Sequence, residues 1–451
     1  MQKIAFLLAL LFFQNTLTAQ TFSEKEKQEM CVKVKEACRF AWNGYKKYAW
    51  GSDALRPISH TPQNWYKHSL LMTPVDGFDT FTLLGLKEEA KEAKDIILTK
   101  LDFNVDDEVQ VFEVTIRLLG SLITAYELDG DKRFLNKAED LGRRLLPAFK
   151  TSTGMPYRYV HLQTGAVRDA LSNPAETGTL FLEFGKLTQL TGDSSFYKAA
   201  KTSLIETYNR RSKLNLVGSV INITTGQWTD TETHISGGID SYYEYVYKAW
   251  LLFGDKDCLH IWNEHNTAVK KYLLRKENNG WFFTHADMNT GKETFPYYGA
   301  LDAFYAGLLA LSGDVATAKK IQQGNFYMWT KFNMEPEEFN FKTDTIVYAS
   351  YPLRPEILES CFYLYRSTHS KVYLDMGKRI VNDILLHCKT DAGYAAVRNV
   401  QTYKLADSME SFFFAETLKY SYLLFAPESL VNLKKIVFNT EAHPLKINIP
   451  K

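Results

Sequence analysis

Several acidic residues of this chain have the neighbours and spacing that proton transfer needs. Glu113 lies in Asp107-Glu-Val-Gln-Val-Phe-Glu113-Val-Thr-Ile-Arg117, an unusually apolar helical run. Burial among Phe112, Val114 and Ile116 raises a carboxyl pKa and suits the group to donate a proton near neutrality. Arg117, four residues on, acts the other way. Asp240 opens Gly237-Gly-Ile-Asp-Ser-Tyr-Tyr-Glu-Tyr245, behind two glycines that let backbone approach a ligand closely. Glu356 and Glu359 share roughly one helix face in Tyr351-Pro-Leu-Arg-Pro-Glu-Ile-Leu-Glu-Ser360, with Arg354 beside them. Two carboxylates and a guanidinium make a grip for sugar hydroxyls. Glu176 in Ala175-Glu-Thr-Gly178 repeats the theme, and Val75-Asp-Gly-Phe-Asp-Thr80 adds two acids ahead of an apolar run. Each has a structural alternative: a buried Glu113–Arg117 pair, Asp240 as an N-cap, and Pro355 and Glu356 as a first helical turn favoured by its dipole. Jointly they describe acids entering one cavity from several helices, as glycosidase chemistry requires.

Near the end, Val437-Phe-Asn-Thr-Glu-Ala-His-Pro-Leu445 supplies oxygen ligands of another kind. Thr440 offers a hydroxyl and a carbonyl, Glu441 a carboxylate and Asn439 an amide. Hard oxygen donors suit calcium rather than zinc. The structural alternative is a closing strand docked on the core.

Bringing these residues together takes many helices. Helical spacing runs from Phe22 to Tyr48, with Met30, Val34, Ala37 and Ala41 in phase, and a loop follows over 51–65. Helices then come in pairs: 68–84 with 87–101, 107–128 with 132–147, 174–191 with 195–210, and 238–254 with 256–276. The pairs 298–312 with 314–328 and 354–368 with 371–387 follow, and 407–425 joins the N-terminal helix, making fourteen. Strand-like runs at 155–162, 216–223, 281–286, 339–348 and 394–403 recur roughly every 55–65 residues, the first three ahead of Thr-Gly turns. Helix pairs joined by hairpins on one face and closing on themselves describe an all-α protein, an α/α barrel. No Gly/Ser or Pro-rich linker divides residues 20–451, which are read as one domain.

Composition narrows the ligand. Lys plus Arg is 53 against 52 for Asp plus Glu, a net charge of +1, which argues against nucleic acid or an anionic membrane as partner. The 14% aromatic content, with many carboxylates, fits a neutral, hydroxyl-rich ligand such as a sugar. Lys3, the apolar run from Ile4 to Phe13 and Leu17-Thr-Ala19 read as a signal peptide over 1–19. That predicts a mature chain beginning near Gln20, exported to a periplasm or the exterior, or to the ER lumen of a eukaryotic host. The apolar run is too short to span a bilayer, and no other stretch is apolar for long enough. Five cysteines at 31, 38, 258, 361 and 388 show no metal spacing. Cys31 and Cys38 on one helix would sit about 10 Å apart, too far to bridge. A monomer without a disulfide framework is expected. Asn222-Ile-Thr224 is a glycosylation sequon.

The run Met409-Glu-Ser-Phe-Phe-Phe-Ala-Glu-Thr-Leu-Lys-Tyr420, followed by Phe438-Asn-Thr-Glu-Ala-His-Pro444, resembles the C-terminal signature of glycoside hydrolase family 47, the class I α-1,2-mannosidases. In the same order along the chain, Asp76-Gly-Phe-Asp-Thr80 resembles the family's early acidic motif and Phe112-Glu-Val-Thr-Ile-Arg117 the segment carrying the proton-donating Glu. Ile239-Asp-Ser-Tyr-Tyr-Glu-Tyr245 resembles the central Asp motif, and Leu353-Arg-Pro-Glu-Ile-Leu-Glu-Ser360 the motif carrying the base. The resemblance implies an (α/α)7 barrel with short β-hairpins on one face, plugged by a C-terminal hairpin whose Thr440 holds calcium beneath the sugar. It implies an inverting exo-mannosidase acting on α-1,2-linked mannosyl glycans. Glu113 would protonate the leaving oxygen and Glu356 activate the attacking water, with Asp240 the other candidate for either role. Arg117, Glu176, Arg354, Glu359, Glu410 and Glu441 would hold the terminal mannose or the water around the metal.

Tyr351-Pro-Leu-Arg-Pro-Glu356, Leu301-Asp-Ala-Phe304 and Gly237-Gly-Ile-Asp-Ser-Tyr-Tyr-Glu244 look like the ER-degradation-enhancing mannosidase-like branch. In the trimming mannosidases a bulkier residue often stands where Gly238 stands here. A second reading in that branch is a mannose-glycan-binding protein with little or no turnover; a lectin need not keep both acid and base, and this chain keeps all three candidates. An α/α-barrel polysaccharide lyase would want Tyr/His or Lys/Arg chemistry instead.

Overall fold

Two kinds of helical sequence alternate along residues 22–448, the part of the chain that the computed structural model describes. The segment read as a signal peptide lies outside the described residues. Counting runs that continue without a turn of chain direction as one helix, and leaving short 3₁₀ turns aside, the described residues form fourteen helices. They are α1 (Glu24–Tyr48), α2 (Met72–Leu83), α3 (Lys87–Lys100), α4 (111–129), α5 (Lys132–Leu145), α6 (174–191) and α7 (Ser194–Asn209). The remainder are α8 (Asp240–Phe253), α9 (Lys256–Tyr272), α10 (301–311), α11 (Val315–Phe332), α12 (Glu356–Thr368), α13 (Lys371–His387) and α14 (413–423).

Odd-numbered helices are amphipathic and even-numbered ones are apolar nearly all round. In α5 only Phe134, Ala138, Leu141, Gly142 and Leu145 are buried, a single stripe. In α2 every residue from Met72 to Phe81 is buried. A helix apolar on all sides must be covered on all sides, so the even helices form an inner ring and the odd helices sheathe it. The ring closes where α2 meets α14: Thr80 Oγ1 donates to the Phe414 carbonyl at 2.9 Å. Trp42 of α1 packs at 4.7 Å on Phe81 and at 6.2 Å on Phe414, which pairs the N-terminal helix with the last one. The result is the expected (α/α)7 barrel.

Five hairpins between the helices share one turn. His161, Asn222, Asp287, Asn340 and Asn399 each accept, through the side chain, from the backbone amides two and three residues on. The fourth residue on is left-handed each time: Gly165, Gly226, Gly291, Asp344 and Tyr403. This is the Asx-type turn, in which a short polar side chain stands in for a backbone carbonyl. The run at 281–286 is divided: Gly280–Phe283 pairs with Leu274–Glu277, whereas Ala286–Asp287 pairs with Glu232–Thr233. Helix α4 begins at Val111 rather than 107 because Glu108–Gln110 is a strand.

Ile436–Phe438 and Pro444–Lys446 form the closing hairpin. It enters from the C-terminal end of the inner helices, where Lys446 N donates to Glu127 at 2.8 Å and Thr124 Oγ1 donates to the Pro444 carbonyl at 3.3 Å. Its tip is fully buried at Asn439 and His443. No helix among the described residues is long and apolar enough to cross a membrane. All five cysteines are free thiols.

Candidate active site

A cavity of about 300 Å³ opens at the N-terminal ends of the inner helices, floored by the hairpin tip. Glu113 and Arg117 reach it from α4, Glu176 from α6, Asp240 from α8, Glu356 and Glu359 from α12, and Thr440 and Glu441 from below. Arg354, just before α12, completes nine of the ten residues given a catalytic, sugar-binding or metal role from sequence.

The tenth, Glu410, is not in the cavity. It accepts from Trp65 Nε1 at 3.1 Å and from Ser408 Oγ at 2.7 Å, and lines a neighbouring groove with Tyr66 and Arg168. The carboxylate that this stretch sends into the cavity is Glu416. It sits in a π-helical segment, Phe413–Leu418, and Arg117 sits in another, Thr115–Leu119. Such bulges shift the phase of a helix by a residue and recur at functional sites. A lone acid inside Phe412-Phe-Phe-Ala-Glu-Thr-Leu418 was the signal for Glu416. Glu244, one turn after Asp240, also lines the cavity and was equally overlooked.

Asp240 is the first residue of α8 and caps nothing beyond itself: its Oδ1 accepts only from the adjacent Ser241, from N at 2.8 Å and Oγ at 3.4 Å. The side chain is therefore left for the cavity. Gly238 has φ of +91°, a backbone shape that a side chain would strain, and its carbonyl accepts from Ala175 N at 2.9 Å. Asp76 and Asp79, read as further cavity acids, point elsewhere. They are fully buried behind the floor, where Asp79 Oδ2 meets Lys419 Nζ at 2.9 Å and His443 Nδ1 at 3.0 Å. Asp76 takes His443 Nε2 at 3.4 Å and Arg117 at 3.8 Å. Burial works against a charged His443, but Asp79 and Asp76 outweigh it and raise its pKa. These acids clamp the hairpin tip.

Two guanidiniums organise the walls. Arg117 Nε donates to Glu113 Oε2 at 2.9 Å, and its Nη1 pairs with Glu441. Arg354 Nε faces both oxygens of Glu337, at 3.1 and 3.2 Å. Phe412 lies between them, 5.8 Å from each. Lys248 pairs with Glu244 and stands 4.0 Å from Glu359.

Burial dominates the titration of the cavity acids. Burial, with help from Glu244 and Asp302, pushes Asp240 up to about 7. Burial raises Glu359 to about 8 despite Lys248, and Glu441 to about 8 despite Arg117. Glu356 and Glu416 are raised well above the carboxylate range, again by burial. Glu356 Oε2 is buried with no hydrogen-bond partner. Arg117 and Arg354 are already committed, so the cavity holds more carboxylate than cation. An orphaned carboxylate oxygen in the cavity that Thr440 also lines, among hard oxygen donors, fits a divalent cation of the calcium kind.

Acids converging at the inner-ring N-termini of an α/α barrel with a plugged floor define a carbohydrate-active hydrolase. The chain belongs to glycosyl hydrolase family 47, whose profile matches residues 37–447. It is 35% identical to "Alpha-mannosidase I MNS5" of Arabidopsis thaliana over 98% of this chain and 81% of that one. It is 33% identical to "ER degradation-enhancing alpha-mannosidase-like protein 2" of Homo sapiens, over 92% of this chain and 77% of the relative. The solved "alpha-1,2-mannosidase from Trichoderma reesei" superposes with a TM-score of 0.85 at 27% identity, covering 93% and 99% of the two chains. The protein is thus a glycoside hydrolase, and use of a metal ion goes with its family.

Proposed function

We propose that the protein is an exported, calcium-dependent exo-α-1,2-mannosidase that removes terminal mannose from high-mannose N-glycans or related mannosides with inversion. The carrying observation is the cavity itself, where Glu113, Asp240 and Glu356 meet above a floor closed by Thr440. A closed floor suits the end of a sugar chain rather than its middle. Calcium, held by the hydroxyl and carbonyl oxygens of Thr440, would bind two sugar hydroxyls and help distort the ring. Glu113, its rotamer fixed by Arg117, delivers a proton to the glycosidic oxygen as the C1–O bond breaks. Glu356 takes the proton of a water that attacks C1 from the opposite face; burial raises its pKa, and the Arg354 charge works against that rise. Asp240 is the alternative for either role. The three acids come from α4, α8 and α12, the second, fourth and sixth helices of the inner ring, so no two share adjoining walls. That spread favours the roughly 6.5–9.5 Å separation of inverting enzymes over about 5–5.5 Å for retaining ones. Glu176, Glu359, Glu416, Glu441 and the two arginines would hold the terminal mannose and its water.

The N-terminal signal pattern supports export. Likeness to an ER degradation-enhancing relative supports one other reading, a mannose-glycan-binding protein with little turnover. Mannose release from an α-1,2-linked mannobiose in the presence of calcium decides between them: tight binding without release selects the binding protein, and neither binding nor release refutes both.

A further inference from the structure

A second set of ligand-type side chains lies outside the cavity. Glu232–Thr233 pairs antiparallel with Ala286–Asp287, Thr233 opposite Ala286. Strand alternation puts Glu232 and His234 on one face of this ribbon, and the register brings His285 across from His234. The two imidazoles stack at 4.5 Å with planes 25° apart. His285 Nδ1 is 3.5 Å from Glu232 Oε1, and one ligand atom from each of the three residues lies within 4.8 Å of the others. Among the described residues this is the group of histidines and acids so arranged.

The hydrogen bonds around His234 select its tautomer. Ser219 Oγ gives its proton to the Glu232 carbonyl at 2.7 Å and therefore accepts from His234 Nε2 at 3.2 Å. His234 Nδ1 then carries the ring's lone pair and accepts from Ser236 N–H at 3.2 Å, a contact that a bound metal would replace. An N–H held by an outer partner is the usual support for a metal-binding histidine. Two imidazoles and a carboxylate suit zinc, and differ in kind from the all-oxygen surroundings of Thr440. Zinc ligands at about 2.0–2.2 Å need donors closer than 4.8 Å, within reach of small side-chain rotations. The cluster also bears on Asp240: the Ser236 carbonyl accepts from Ile239 N at 3.1 Å and Asp240 N at 3.0 Å, so one tight turn joins His234 to the catalytic candidate.

We propose that Glu232, His234 and His285 form a zinc-class divalent metal site, separate from the site at Thr440, that braces the turn carrying Asp240. The test is a calorimetric titration of metal-stripped protein with zinc while calcium is in excess, repeated with cobalt(II) for its visible spectrum. One zinc per chain is expected, with a Tm that climbs with zinc concentration. His285→Ala and Glu232→Gln should each weaken binding at least about tenfold, while Thr440→Val leaves it unchanged. Should His285→Ala fail to fold, the isosteric Glu232→Gln carries the test alone. No saturable zinc binding, or equal binding in parent and Glu232→Gln, overturns the proposal. So does binding lost only in Thr440→Val, which would place the zinc in the calcium site and leave the mannosidase reading intact.

Discussion

Replacing Gly120 by alanine should damage the floor of the cavity from outside it. Gly120 sits inside α4, and a Cβ added there would lie 2.5 Å from Asn439 Nδ2 and 3.3 Å from His443 Cδ2. Alanine favours the helix over glycine by up to about 1 kcal/mol. Against that, Asn439 cannot easily retreat. Its Nδ2 donates to the Ile116 carbonyl at 2.9 Å and to Glu183 at 2.8 Å, and its Oδ1 accepts from Glu441 N at 3.0 Å and His443 N at 2.7 Å. Overpacking a tight core costs about 1–3 kcal/mol, and each buried hydrogen bond broken adds about 1–3 more. The steric side wins, for a net loss of roughly 2–4 kcal/mol. Because Thr440 follows Asn439 directly, the shift should also reach the metal site. Urea unfolding with calcium absent measures the first effect, and a calcium titration the second, with affinity down by at least about tenfold. A Gly120→Ala protein as stable as its parent would refute the idea that the hairpin tip is locked in place. A destabilised one with full calcium affinity would show that the tip can move without carrying Thr440.

Thr440→Val should sharply lower both calcium binding and turnover, and full activity after exhaustive chelation with no metal detected would count against a metal at this position. Glu416→Gln should lose most of kcat whereas Glu410→Gln stays near parent, since only Glu416 lines the cavity; the opposite order in a mannobiose assay would reverse the assignment. Proton NMR early in hydrolysis should show β-mannose first, and Glu113→Gln and Glu356→Gln should each lose most of kcat; α-mannose as first product would end the inverting mechanism. Asp240 is raised to about 7, so its contribution to stability is present below the ordinary carboxylate range and is lost as pH rises through 7. Metal-free protein should therefore weaken from pH 5 to 8, and Asp240→Asn should flatten part of that slope in urea melts; identical slopes would mean that Asp240 ionises like an exposed acid.

Much of this was legible in the chain itself. Fourteen helical patterns in pairs, joined by hairpins on one face and closing on themselves, described the barrel. Thr-Gly turns marked three of the hairpins, and acids on several helices marked the cavity. What local pattern could not supply is the identity of each neighbour. Glu410 was named through the resemblance, whereas the acid of that stretch in the cavity is Glu416, in a π-helical segment whose phase departs from the α-helical period. Asp76 and Asp79 look like cavity acids until His443 and Lys419, over 300 residues away, are seen to claim them. Arg354 does line the cavity, but Glu337, the acid that orients its guanidinium, could not be named from local pattern. Glu232, His234 and His285 have no shared motif and meet only through strand pairing. Periodicity records which face of an element is apolar; which charges face each other across the core is decided by closure of the ring, through burial and pairing between distant segments.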